Sequence, residues 1–505
     1  MSGVHWLWLL VGVGGMVVLL VVLLPLVNVI RGVLKFIFVT ERGVLSESGA
    51  LGPRKVRRLP GSRFTFVLSL LDGGTDRLFR LMSLDGKGQV FPPLVCIGGD
   101  FTGDALLYVF DADAVRQVLT QHDKFFVKQP AAYDVLAPLL GRGLVVSSGE
   151  LWRRQRKLLT PLFHFARLRA YTTLENDEAA RLCGLLAASA GADVAPVPLF
   201  AACMQRIVMR AVFGQRFDLD HMAALWNAVT DEHSFRLWMA VVAFVPLWIA
   251  HLMPGSIANT FRCLDQVRAI IGDAVDRARA AGEAADNCDD LVGQMAHLDI
   301  DRELIVDECV TFLFAGRDTV SHTMGFVCYF LAQHPDVQEE LHSEAESVFA
   351  GGDSISDDGI ELLKLHAAVV RETLRLRPAL PSLIRVVSAE EGVTLCGTHL
   401  PKDTIVTVGA LGVQRASEHW GADSLEFRPS RWFEESQRSR HAFAWLPFNA
   451  ATRSCIGKHL ATNATAVMLA HVMRRFRIVG DVSNVSAAFT GTFGPVGLKV
   501  RFEAR

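Results

Sequence analysis

From Glu303 to Gln333 the chain carries a continuous apolar helix pattern, about thirty residues long and hydrophobic nearly all round. At 1.5 Å per residue such a helix runs ~45 Å, and a helix without a polar face belongs in a protein interior. The rest of the chain must wrap this rod. It has the means: 505 residues, of which 50% are hydrophobic, suffice for a large core. Midway along the rod stand Gly316-Arg317-Asp318-Thr319. Polar residues at the centre of a buried helix need a reason.

Around the rod, most of 150–350 has helical periodicity, and a second helix over about 359–377 stops at Arg377-Pro378. Short strands are expected in 88–110, with Asp111 or Asp113 capping a helix through Val115 and Leu119. Residues 393–408 alternate like a hairpin, and a helix near 456–476 precedes a terminal strand pair. With no internal repeat and no Pro- or Ser-rich seam after residue 62, the expected fold is α+β, mostly helical. It forms one large domain over 60–505.

The first 31 residues differ in kind. Trp6 to Ile30 contains no charged side chain, long enough to cross a ~30 Å hydrocarbon core. A cleaved signal peptide is the rival reading, but it would have a shorter apolar run, a basic flank before it and a small-residue cleavage site after it. Arg31, Lys35, Arg42, Arg54, Lys55, Arg57 and Arg58 follow the run, which places the rest of the chain on the cytoplasmic side. The expectation is a single-pass anchor over 1–31 and a linker over 32–59. Net charge is −2, from 51 basic and 53 acidic residues, without a basic stripe, so nothing points to nucleic acid. The nine cysteines are scattered and odd in number, which suits a reducing compartment better than a disulfide framework.

One cysteine stands apart. Cys455 immediately precedes a helix start, whose amides and dipole stabilise a thiolate. Arg453 lies two residues before it, Gly457 lets backbone approach a flat ligand, and Phe448 can wall the sulfur from water. An inert buried thiol is the ordinary alternative. A dry, hydrogen-bonded thiolate is what haem iron needs for O–O cleavage. Glu372 and Arg375, spaced i, i+3, are either a surface ion pair or, with Arg431, a buried cluster bracing the loop to Cys455. Asp318 and Thr319 are either a satisfied polar pair, Thr319 bonding back to the preceding turn, or a proton relay beside a groove made by Ala315 and Gly316. Arg317 next to them suggests a salt bridge to a neighbouring helix.

In order and spacing, AGRDT (315–319), ETLR (372–375), FRPSRW (427–432) and FNAATRSCIG (448–457) resemble segments of the cytochrome P-450 haem-thiolate monooxygenases. Upstream, WRRQR (152–156) is similar to that family's WxxxR helix, and the resemblance spans about 60 to 505. It implies non-covalent haem b with Cys455 as axial iron ligand, and Arg453, Arg385, Trp152 and Arg156 as propionate partners. It further implies Thr319 with Asp318 as the oxygen-activating pair, and Glu372, Arg375 and Arg431 as a structural triad. The anchor resembles that of endoplasmic-reticulum members, which take electrons from an NADPH-dependent flavoprotein reductase. Ala451 stands where the family's usual Gly would be, which imposes strain of ~1 kcal/mol or more if the position has φ > 0.

Residues 139–165 and 441–448 are similar to the fatty-acid ω-hydroxylase branch, although scaffold segments report ancestry more than substrate. Many members of that branch carry a Glu linked covalently to haem where this chain has Ala315, so non-covalent haem is expected, without strict terminal-carbon selectivity. The apolar run Phe235 to Met253 suits an access channel, a membrane-dipping surface or a core helix. The expected activity is insertion of one oxygen atom into a C–H bond of a lipophilic substrate, fatty acid or sterol. A hydroperoxide or endoperoxide isomerase on the same scaffold tends to lack the acid–alcohol pair. A non-catalytic haem binder has only Ala451 in its favour.

Overall fold

The computed structural model describes residues 57–59, 94–97 and 106–505, apart from 129, 164–170, 190, 246, 282–287, 289 and 490. The expected anchor and nearly all of the linker lie outside the described residues.

The rod is one unbroken helix. Among the described residues ten longer helices organise the fold: α1 Gly149–Leu159, α2 Thr172–Ala188, α3 Pro196–Phe213, α4 Leu219–Val229, α5 Glu232–Phe244, α6 Ser256–Ala281, α7 Arg302–Leu331, α8 Pro335–Phe349, α9 Lys364–Leu376 and α10 Lys458–Arg475. Asp301 caps α7, accepting from Leu304 N at 2.7 Å, with Glu303 in the first turn beside the positive end of the dipole. Helices α3, α6, α9 and α10 pack around α7 in the main hydrophobic core. Residues 314–319 interrupt its buried middle as a continuous run, half-buried where a cavity lies against the helix. Among the described residues α3 is the one helix long and apolar enough to cross a membrane. It is mostly buried against α7, as a core helix.

A six-stranded sheet flanks the helices, in the order β1-β2-β3-β8-β5-β4. Its strands are β1 Arg57–Leu59, β2 Leu94–Ile97, β3 Leu106–Val109, β4 Phe126–Lys128, β5 Leu383–Val387 and β8 Ile405–Val408. Asp111 caps the short helix after β3, accepting from Ala114 N at 2.8 Å. Two expectations need correction. The helix expected over 359–377 breaks at Leu363: Asp357–Leu362 is one short helix, and α9 begins anew at Lys364. The Glu344 carboxylate accepts from Leu365 N and His366 N, capping the new start with a residue from α8 that periodicity does not show. The expected hairpin is shorter than 393–408. Strands β6 Val393–Leu395 and β7 Thr398–Leu400 turn at Cys396-Gly397, both at positive φ, and β8 leaves them for the large sheet between β3 and β5. Strand β9 Phe476–Val479 pairs with the terminal β12 Arg501–Ala504, and β10 Ser486–Phe489 with β11 Phe493–Val496.

Candidate active site

A cavity of about 330 Å³ lies between α7 and the loop before α10. Its floor is the Cys455 loop. Asn449 and Ala451 both have positive φ, 59° and 55°, which turns the chain sharply, and Cys455 N then donates to Phe448 O at 2.8 Å. Ala451 therefore carries the strain expected of a side chain in the left-handed region. Gly457 ends the loop as the residue before α10; a Cβ there would meet nothing within 4 Å, so the position opens on free space. Cys455 is open to the cavity it lines, while protein encloses it otherwise. Burial pushes its thiol pKa up; the Gly457 N–H bonded to the sulfur and the charges of Arg156 and Lys458 act against that.

Four cations line the cavity: Lys128, Arg156, Arg385 and Arg453. Antiparallel pairing of β4 with β5 sets Lys128 directly opposite Arg385, which brings both to one face. Arg453 stacks on Trp152, its guanidinium carbon 3.6 Å from the ring centroid, and donates to Ser147 O at 3.2 Å. Burial, then the charge of Arg385, pushes the Arg453 pKa down to about 10. Burial, reinforced by Arg453 and Arg385, pushes Lys128 down to about 7. Among the described residues no carboxylate lines the cavity. The cluster is short of negative charge, and a flat ligand with two carboxylates supplies it. Iron supplies the complement for the thiol, since a coordinating thiol is deprotonated outright. The residues present fit haem.

The roof is α7. Thr311, Ala315, Gly316, Thr319 and Thr323 face the cavity, and Phe163, Met204, Val208, Val212 and Phe312 make the space above the sulfur apolar. Gly316 has a second use: a Cβ there would sit 2.7 Å from Val208 Cγ2, so the bare backbone lets α3 approach α7. Thr319 Oγ1 donates to Ala315 O at 2.9 Å, the bond back to the preceding turn. Asp318, one-third exposed, does not line the cavity. Its partner is Arg317 at 2.9 Å. The salt bridge expected from Arg317 to another helix is thus made to the next residue instead, because the neighbouring helix α4 offers Arg317 only a hydroxyl, Thr230 Oγ1 at 3.3 Å.

The Glu–Arg–Arg cluster is buried, not a surface pair. Glu372, Arg375 and Arg431 are 0%, 0% and 1% exposed. Glu372 accepts from Arg375 Nε at 2.9 Å and Nη2 at 2.8 Å, from Arg431 Nε at 2.8 Å, from Arg428 N at 3.0 Å and from Trp432 Nε1 at 3.1 Å. Burial raises the Glu372 pKa, but the bonds and charge of Arg375, with Arg428 and Arg431, bring it below the ordinary value. Arg375 continues to Gln414 O at 3.1 Å, and Gln414 Oε1 accepts from Leu446 N at 2.6 Å, two residues before Phe448. The cluster thereby reaches the Cys455 loop.

Sequence reasoning missed Lys128, Tyr133 and Gln414. Tyr133 lines the cavity and its hydroxyl bonds Arg385. None lies in a motif; only strand pairing and loop packing bring them in. Among its described residues, the run Phe235 to Met253 supplies none to the cavity. It forms α5 and the short helix Leu247–Ala250, with Trp238, Val241 and Ala250 buried and Leu237, Leu247, Trp248 and Leu252 exposed.

A cysteine three residues before a helix start (rather than immediately before it, as the sequence led us to expect), below an apolar chamber and beside four cations, defines a haem-thiolate site. The chain belongs to the cytochrome P450 family: the family model described as Cytochrome P450 matches residues 98–488. It is 28% identical to "Probable cytochrome P450 4ac2" of Drosophila melanogaster, over 88% of each chain. It is 28% identical to "Cytochrome P450 4A14" of Rattus norvegicus, over 75% of this chain and 77% of that one. A solved structure, "Crystal structure of cytochrome P450DA heme domain", superposes with a TM-score of 0.76 at 21% identity, covering 89% of this chain and 98% of the other. The protein is a haem-thiolate monooxygenase that binds haem b non-covalently, and its family works on lipophilic substrates with a redox partner.

Proposed function

We propose that this enzyme hydroxylates an unactivated C–H bond of a fatty acid or sterol, drawing electrons from NADPH through a flavoprotein reductase at the endoplasmic-reticulum membrane. Residues 1–31 anchor it, 32–59 link, and 60–505 form the cytoplasmic catalytic domain. The observation that carries the reading is Cys455, open to an apolar cavity whose lining cations have no carboxylate among them in the described residues. Cys455 would hold the iron, with Gly457 N–H on the sulfur and Phe448 walling it. Arg156, Arg385, Arg453 and Trp152 would hold the propionates.

Haem supplies, when bound, the activation of dioxygen by electrons and protons. The chain's own work is to deliver those protons and exclude other water. Asp318, one-third exposed and outside the cavity, takes a proton from solvent. Thr319, the next residue and a cavity wall, passes it inward once its hydroxyl turns from Ala315 O. Apolar walls above the sulfur favour a lipid chain, in keeping with the resemblance to the ω-hydroxylase branch. Ala315, which has no carboxylate to form an ester to haem, lines that part of the wall. Glu372, Arg375 and Arg431 hold the Cys455 loop without touching substrate.

The test is the carbon-monoxide difference spectrum of reduced membranes carrying the full chain, beside C455A. A strongly red-shifted Soret band absent from C455A is expected; an imidazole-like band in both would refute the thiolate assignment. Spin-state titration with dodecanoate and with cholesterol then separates fatty acid from sterol.

A further inference from the structure

Arg317 pairs with the residue next to it in a helix, an arrangement helix geometry does not favour. Side chains at i and i+1 point about 100° apart and do not ordinarily face each other. Yet Arg317 Nη1 lies 2.9 Å from Asp318 Oδ1. A third group explains it: the same Nη1 donates to Thr230 Oγ1 at 3.3 Å. Thr230 is the C-cap of α4, and its own hydroxyl proton goes to Trp226 O at 2.9 Å, so its lone pairs are turned outward to accept. Arg317 is mostly buried, at 19% exposure of its side chain, and its Nε has no partner among the described residues. A guanidinium that leaves a buried N–H unbonded is held by its other contacts, here Thr230 on one side and Asp318 on the other.

We propose that Arg317 is a positioning residue that ties the Asp318 carboxylate to the C-terminal end of α4, so that proton delivery to Thr319 depends on where α4 ends. While the tie holds, Asp318 is turned toward Arg317 and away from the cavity. When the end of α4 shifts, Thr230 no longer fixes the guanidinium and the carboxylate is free to turn. On α5, Phe235 packs at a tilt against Phe314, ring centroids 6.0 Å apart and one residue before Ala315, so movement of the α4–α5 corner is felt at the same level of α7. The inference rests on Asp318 and Thr319 being the relay.

The experiment uses full-length holoenzyme with NADPH and reductase, without added substrate, and reads the solvent deuterium isotope effect on hydrogen peroxide release. R317L and T230V are expected to lower that effect toward unity, because the tie no longer gates the proton; R317K, which keeps a cation within reach of both partners, restores it. A readout independent of turnover is amide hydrogen exchange of the resting protein. The Thr230 amide, bonded to Trp226 O at 3.0 Å, is expected to exchange about fivefold faster in R317L, the loss of roughly one hydrogen bond holding the corner. Should R317L fail to retain haem, T230V carries the test, since it removes no charge. Unchanged isotope effects in R317L and T230V, with a changed one in D318N, overturn the tie and leave the relay standing. An unchanged effect in D318N overturns the relay and the tie with it.

Discussion

Substituting Glu372 by Gln is the sharpest test of how the Cys455 loop is held. Glutamine keeps the shape but removes the charge and one of two acceptor oxygens, and it turns an amide donor toward guanidinium donors. Arg431, 1% exposed, would keep Asp423 at 3.1 Å, itself 29% exposed, while Arg375, 0% exposed, would have no carboxylate partner among the described residues. Breaking a buried, hydrogen-bonded pair from one side costs ~3–5 kcal/mol, against total stabilities of ~5–15 kcal/mol. We therefore expect urea unfolding followed by far-UV circular dichroism to show E372Q less stable by ~3–5 kcal/mol, with haem lost at lower denaturant than in the wild type. The same carboxylate makes a pH prediction. Its folded pKa lies below the ordinary value of 4.5, so its stabilisation is fully present above that value and disappears as pH falls through the lower, folded one. Wild type should lose stability in that acid window and E372Q should lose less. A variant within ~1 kcal/mol of wild type at neutral pH, with unaltered haem retention, would refute the reasoning.

Ala451, at φ 55°, invites A451G. Relief of ~1–2 kcal/mol of left-handed strain, less ~0.4–1 kcal/mol of added unfolded-chain entropy, predicts a gain of ~0.5–1 kcal/mol, read as a higher denaturation midpoint. G141A should do the opposite: φ is 57° and the new Cβ would lie 2.0 Å from Asp307 Oδ1, so the loop before α1 must shift and stability fall by at least ~1–2 kcal/mol, read as a lower denaturation midpoint. With Ala315 in the cavity wall, acidified butanone should extract all the haem from enzyme that has turned over; residual protein-bound haem would contradict the non-covalent reading.

Much of this site is legible along the chain because its parts are local. Phe448 to Gly457 lie within one loop, Glu372 and Arg375 within one helical turn, and Asp318 beside Thr319, so spacing alone relates them. The apolar pattern of 303–333 likewise fixed α7 to within a residue or two, since a helix buried all round has no competing partner for its backbone. Lys128 and Arg385, by contrast, become neighbours through strand register across some 250 residues. Glu344, on α8, caps the start of α9, and Gln414 joins the triad to the Cys455 loop. Those contacts are long-range hydrogen bonds, which leave no period in the sequence. The sequence by itself determined which groups are present for haem chemistry and which helix must be central. Only the tertiary structure decided that four cations share one cavity with no carboxylate among the described residues, and that Arg317 leans on Thr230 and Asp318 rather than on an acid of another helix. The physical reason is the same in both cases: charge balance and side-chain direction depend on what burial brings near, and burial is a property of the packed whole.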